Sequence, residues 1–126
     1  MSWKLDADRP IFIQLVEILK TDILSGKYKP GDKLSTVREL AQEAAVNPNT
    51  MQKALAELER LGLVYAERTS GRYVTEDEEL ISKLKNEQAE IVINEFIEKM
   101  NQIGFKNSTI LELVRETMAK APIIKQ

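Results

Sequence analysis

Residues 36–62 read TVRELAQEAAVNPNTMQKALAELERLG, and two helix starts lie inside this stretch. Thr36-Val37-Arg38-Glu39 has the form of a capping box: the Thr36 hydroxyl can accept from the Glu39 N–H while the Glu39 carboxylate reaches back to Thr36. A short helix should follow, with Val37, Leu40, Ala41 and Ala44 facing inward. Asn47-Pro48 is the second start signal, an N-cap followed by proline at the first helical position, where a missing N–H costs nothing. The second helix places Met51, Ala54, Leu55, Leu58 and Leu61 on one face and ends at Gly62. Two short helices joined by a tight turn make a helix-turn-helix.

Upstream, Phe12, Leu15, Val16, Leu19 and Ile23 recur at helical spacing, with the polar Gln14, Glu17, Lys20 and Asp22 between them. Pro10 suits the first turn of this helix, and Gly26 stops it. Lys29-Pro30-Gly31-Asp32 is a turn in which proline fixes the first central position and glycine accepts positive φ at the second. Downstream of Gly62 the period shifts toward alternation. Leu63 to Arg68, a break at Thr69-Ser70-Gly71 and then Arg72 to Thr75 predict a β-hairpin. Three helices closed by a two-stranded hairpin form a winged helix-turn-helix over residues 1–75.

From Glu76 the chain reads as helical to its end. Leu80, Ile81, Leu84, Ile91, Val92, Phe96, Met100 and Ile103 continue a stripe to Gly104, and Asn107 or Ser108 can cap a last helix carrying Ile110, Leu111, Val114 and Met118. A two-helix hairpin has no third element to cover its apolar faces. Residues 76–126 are therefore expected to dimerise with a second copy, through Leu84, Ile91, Val92, Phe96, Met100, Ile110 and Val114. The expected fold is mainly α with one small β-hairpin.

Composition narrows the chemistry. In 126 residues there is neither cysteine nor histidine, which removes disulfides, thiolate or histidine metal sites, and Ser/His or Cys/His catalysis. An enzyme is not expected, and neither is a cofactor. An effector, if one exists, is sensed neither by thiol redox chemistry nor by histidine-bound metal. Apolar runs of a few residues fall far short of a membrane span, and the start Met1-Ser2-Trp3-Lys4-Leu5-Asp6 lacks the pattern of a secretory signal. The expected location is cytoplasmic. A net charge of −2 argues, taken alone, against a nucleic-acid partner, but residues 1–75 carry 11 basic and 10 acidic groups while 76–126 carry 7 and 10. Glu76-Asp77-Glu78-Glu79 is better read as charge complementing a helix N-terminus than as a cation site. Trp3 and Phe12 read as core or interface aromatics.

In a DNA-reading helix-turn-helix the first turn of the second helix enters the major groove. Here that turn displays Asn49, Thr50, Gln52 and Lys53, whose amides and ammonium can pair with base edges and phosphates. Arg38 at the start of the first helix, and Arg68 and Arg72 beside the hairpin loop, can reach phosphates around the groove. Gly71 serves the loop backbone and lets the wing approach closely. The alternative to base reading is a winged helix used purely for protein interaction.

Longer matches point to a family. Pro10-Ile11-Phe12-x-Gln14-Leu15, Gly26-x-x-x-Pro30-Gly31-x-x-Leu34, Val37-Arg38-Glu39-Leu40-Ala41, Val46 to Ala54, and Leu58-Glu59-x-x-Gly62-Leu63-Val64 occur in order. Together they resemble the GntR family of bacterial winged-helix regulators, in particular its small YtrA-like subfamily. The resemblance implies a homodimeric repressor acting on a two-fold symmetric double-stranded DNA operator, with Arg38, Asn49, Thr50, Gln52, Lys53, Arg68 and Gly71 at the DNA. Three positions depart from the family pattern: Ser35 replaces a usual proline, Ala45 a common turn glycine and Thr69 the first wing glycine. If Ala45 takes positive φ, the cost is about 1 kcal/mol.

Overall fold

A computed structural model describes residues 3–120. Its elements run α1 (Ile11–Leu24), α2 (Val37–Ala44), α3 (Pro48–Arg60), β1 (Val64–Glu67), β2 (Gly71–Val74), α4 (Glu78–Gln102) and α5 (Asn107–Lys120). Two compact units divide the chain within α4, the first reaching Lys85 and the second beginning at Asn86.

In the first unit the local signals form as expected. The Thr36 hydroxyl accepts from Glu39 N–H at 3.1 Å, and Glu39 Oε1 accepts from Thr36 N–H at 2.9 Å. Hydrogen bonding to the carboxylate, chiefly from the Thr36 N–H and next from the Thr36 side chain, holds the Glu39 carboxyl below its ordinary range. Asn47 Oδ1 caps α3 by accepting from Asn49 N–H at 2.7 Å, with Pro48 in the first helical position. Asp32 N–H donates to Lys29 O across the Pro30-Gly31 turn, and Gly31 takes φ +85°. At the other end of the unit's first helix, Pro10 is the N-cap residue itself, with extended ψ, one position outside α1.

α2 ends on Ala45 in the left-handed conformation (φ 57°, ψ 47°). Val46 N–H reaches back to Ala41 O and Ala45 N–H to Gln42 O, the bond pair of a Schellman motif, which reverses the chain in three residues. A non-glycine residue pays about 1–2 kcal/mol to sit there, and glycine loses about 0.5–1 kcal/mol more backbone entropy on folding. Ala45→Gly is therefore expected to raise unfolding stability by about 0.5 kcal/mol, read as a higher urea midpoint at unchanged slope.

The core is built where the helical stripes meet: Leu15, Leu19 and Ile23 from α1, Leu40, Ala41 and Ala44 from α2, and Met51, Ala54, Leu55 and Leu58 from α3 are all buried. Leu63, Val64 and Val74 bring the hairpin into the same cluster, and Ile81 and Leu84 from the start of α4 pack on it half-buried. Two polar residues of α1 that the sequence leaves on the solvated side, Gln14 and Asp22, are also buried. Gln14 is satisfied: its Oε1 accepts from Asp6 N–H, and its Nε2 donates to Asp6 O and Arg9 O. It thereby pins the N-terminal segment, whose Trp3 and Leu5 pack against the core.

β1 and β2 pair antiparallel with Val64 opposite Val74, Tyr65 opposite Tyr73, Ala66 opposite Arg72 and Glu67 opposite Gly71. The connecting turn is Arg68-Thr69-Ser70, and Gly71 opens β2 rather than closing the loop. The hairpin is also wider than the sequence suggests. The segment after the Pro30-Gly31 turn lies along the free edge of β2: Gly31 N–H donates to Val74 O, Val74 N–H to Asp32 O and Leu34 N–H to Arg72 O, with Lys33 bridged to Tyr73.

The second unit is the remainder of α4, a turn at Gly104 and α5. Asn101 Nδ2 donates to Phe105 O and to Asn107 Oδ1, locking that turn. α5 begins at Asn107, and its first free N–H groups, those of Thr109 and Ile110, go to Lys106 O, so neither Asn107 nor Ser108 is the cap. Among the described residues of this unit, Ile110 alone is a buried apolar residue. Ile91, Val92 and Ile93 are each more than half exposed, because three consecutive helical residues point about 100° apart and one partner helix cannot cover them all. Phe96, Leu111 and Met118 are exposed as well.

Candidate nucleic-acid interface

α3 presents its polar first turn because its apolar positions are consumed by α1, α2 and the hairpin. Asn49, Gln52 and Lys53 are exposed, and Thr50 is half-buried with its N–H bonded to Asn47 O. The Asn47 cap and Pro48 fix where the helix starts, and so fix the height at which Asn49 and Gln52 emerge. Lys53 is less free: its Nζ stands 4.7 Å from the centroid of the Phe12 ring on α1, a cation–π contact that draws the ammonium toward α1. Phe12, half-buried at the core's edge, thus positions a cation as well as packing.

Arg38 is exposed in the first turn of α2, two residues after the Thr36 cap. Arg68 is exposed in the hairpin turn. Gly71 has φ +120°, a backbone conformation that favours glycine, and a Cβ there would stand 3.3 Å from Cε of the flexible Lys33 side chain. Tyr65 and Tyr73 stack on one face of the hairpin with ring centroids 5.7 Å apart, and the Tyr73 hydroxyl donates to Ser70 Oγ.

Arg72 does not point out beside the loop. Its Nε donates to Glu59 Oε1 at 2.6 Å, and its side chain is 23% exposed. Strand alternation explains the difference: Arg72 lies two residues from the buried Val74 and so shares its face, which looks toward α3. The pair ties the wing to the helix it flanks. Lys33 is the cation that sequence reasoning missed. It follows a turn in an otherwise unremarked loop, and only the pairing of residues 31–34 with β2 brings it to the wing.

An exposed helical turn of amides and an ammonium, flanked by Arg38 on one side and a basic hairpin turn on the other, is the arrangement of a winged helix-turn-helix regulator. Comparison with known proteins gives the particular family. The model of the bacterial regulatory proteins of the gntR family matches residues 13–74. A GntR family transcriptional regulator from Listeria monocytogenes superposes with a TM-score of 0.83 at 40% identity, covering 89% of this chain and 98% of that one. The HTH-type transcriptional repressor YtrA of Bacillus subtilis is 47% identical over 54% of this chain, which spans about half (52%) of that repressor's length. The DNA-binding domain of AraR in complex with operator ORE1 superposes with a TM-score of 0.51 at 30% identity, covering 60% of this chain and 94% of that one. The chain belongs to the GntR family of transcriptional regulators, with YtrA among its relatives.

Among the described residues no helix is long and apolar enough to cross a membrane, and no group of three or more His, Cys, Asp or Glu side chains could hold a metal ion.

Proposed function

We propose that the protein is a cytoplasmic repressor that binds a two-fold symmetric operator as a homodimer. In this reading residues 1–75 read DNA and the helices that follow hold two copies together. Asn49, Thr50, Gln52 and Lys53 enter the major groove, Arg38 and Arg68 neutralise phosphates, and Gly71 allows the wing close to the backbone. Arg72 acts here as a strut through Glu59, not as a phosphate ligand.

The observation that carries the dimer is the exposed apolar surface of the second unit. Ile93, Phe96, Ile97, Ile110, Leu111 and Val114, with Asn107 as the one polar residue, line an open groove of about 350 Å³. Phe96, Met100, Leu113, Val114, Thr117 and Met118 line a second of about 460 Å³. A continuous apolar face of this kind seeks cover, and an identical hairpin supplies the same surface in return. Of the residues expected at this interface, two are already covered: Leu84 packs half-buried on the core of the first unit, and Ile110 is buried within the second. The operator complex of AraR and the naming of YtrA as a repressor support the DNA and repression clauses.

A gel-shift titration with a fragment of the protein's own promoter tests this reading. The expected result is a dimer-stoichiometric complex with a symmetric footprint, losing affinity on the order of tenfold or more as salt rises from 50 to 200 mM. A salt-independent association, or none, would instead mark a winged helix used for protein interaction.

A further inference from the structure

Asp22, near the end of α1, is a carboxylate with little to do in the fold. Its side chain is 7% exposed, and its Oδ2 has no hydrogen-bond partner. Its Oδ1 lies 3.8 Å from Nζ of Lys27, beyond hydrogen-bond distance, on a lysine whose side chain is 73% exposed. A carboxylate withdrawn from water with an open acceptor is destabilising unless a positive group meets it.

It opens onto a polar cleft of about 330 Å³ lined by Asp22, Lys27, Tyr28, Ser35 and Glu43. Two carboxylates and two hydroxyls there face a single loosely held ammonium. Burial and the charges of Asp22 and Glu43 push the Tyr28 hydroxyl above its ordinary range, as an excess of negative potential should.

We propose that this cleft binds a small primary amine, whose ammonium takes the place that Lys27 holds weakly beside Asp22. An alkylammonium carries three N–H donors, which match acceptors on Asp22 Oδ1, the oxygen that Lys27 faces, on the Glu43 carboxylate and on Ser35 Oγ. The cleft leaves room for several carbons behind the nitrogen. A divalent metal is a poorer match, since hard cations take six or more oxygens and no cluster of three ligating side chains exists among the described residues. The cleft joins the end of α1 to the segment capping α2 and to α2 itself. An amine bound there would bias how α2 presents α3, and so would alter operator affinity. That last clause rests on the operator-binding reading; the amine site does not.

The test is isothermal titration of the full chain with n-butylamine hydrochloride, using n-butanol, sodium chloride at matched ionic strength and magnesium chloride as controls. Saturable binding of butylammonium alone is expected. Asp22→Asn, which keeps the shape and removes the charge, should weaken it by about tenfold or more, and Lys27→Ala should tighten it by removing the resident ammonium. Should Asp22→Asn unfold, Glu43→Gln at an exposed position is expected to weaken binding in the same direction. Absent saturation, equal affinity in the carboxylate variants, or a preference for magnesium overturns the site. Unchanged amine affinity in Lys27→Ala overturns the displacement of Lys27. Amine binding without any change in the operator gel shift removes only the regulatory clause, whereas loss of operator binding altogether leaves the titration standing.

Discussion

Replacing Val92 and Phe96 together by Asp is expected to turn a dimer into monomers in sedimentation equilibrium and to reduce operator affinity by about a hundredfold or more. The two residues are 54% and 40% exposed and lie one helical turn apart on α4. In a symmetric interface each substitution is applied twice, so four carboxylates would have to be buried or brought together, at several kcal/mol each. The operator loss follows from linkage, because a tethered second half-site contributes about 10²–10⁴ in avidity and a monomer forfeits it. Neither residue contributes to the core of the first unit, so helical content and that unit's folding should be retained. A double variant that still sediments as a dimer would remove the α4 stripe from the interface.

The second large effect is expected at α3. Asn49→Ala with Gln52→Ala should reduce specific operator binding by about a hundredfold while leaving weak, salt-sensitive binding to unrelated DNA in place. Each paired base contact is worth about 1–3 kcal/mol of discrimination, and a dimer uses each residue twice. Both side chains are exposed, and the Asn47 cap that fixes the helix start is untouched. Competition gel shifts against unrelated DNA measure the outcome. Equal losses on both DNAs would mean that these side chains contribute only general affinity, and no loss would exclude them from the interface.

Lys53 is left out of that variant for a structural reason. Its ammonium already interacts with Phe12, so removing it would mix lost DNA contact with a changed contact to α1. Nothing in the spacing of residues 47–61 reveals this, since Phe12 lies on another helix. Arg72 is a different case. Its position two residues before Val74 places it on the core-facing side once the strand is accepted, so strand alternation alone turns it toward α3. Its partner Glu59 was not legible, because that pairing depends on how the wing folds back on α3.

Charge, too, is redistributed by the fold. The nearly balanced first 75 residues offer no basic run, and Lys33 joins the wing only through the backbone pairing of its segment with β2. Asp22 shows the converse. At helical spacing it reads as one of the polar residues between apolar ones, yet the segment after α1 turns back and covers it, with Tyr28 N–H donating to Asp22 O. The same packing that buries Gln14 with all its bonds satisfied leaves an oxygen of Asp22 open.

By itself the sequence determined the order of the elements and their strongest local signals: the Thr36–Glu39 box, the Asn47-Pro48 start and the Pro30-Gly31 turn. These features rest on φ preferences and on hydrogen bonds closed within three residues, so each is encoded where it occurs. Only the tertiary structure decided that Arg72 braces Glu59, that Lys53 leans on Phe12, that Lys33 reaches the wing and that Asp22 loses its water. Those outcomes depend on segments distant in the chain arriving at one place, where shared burial fixes the neighbours that local pattern leaves open.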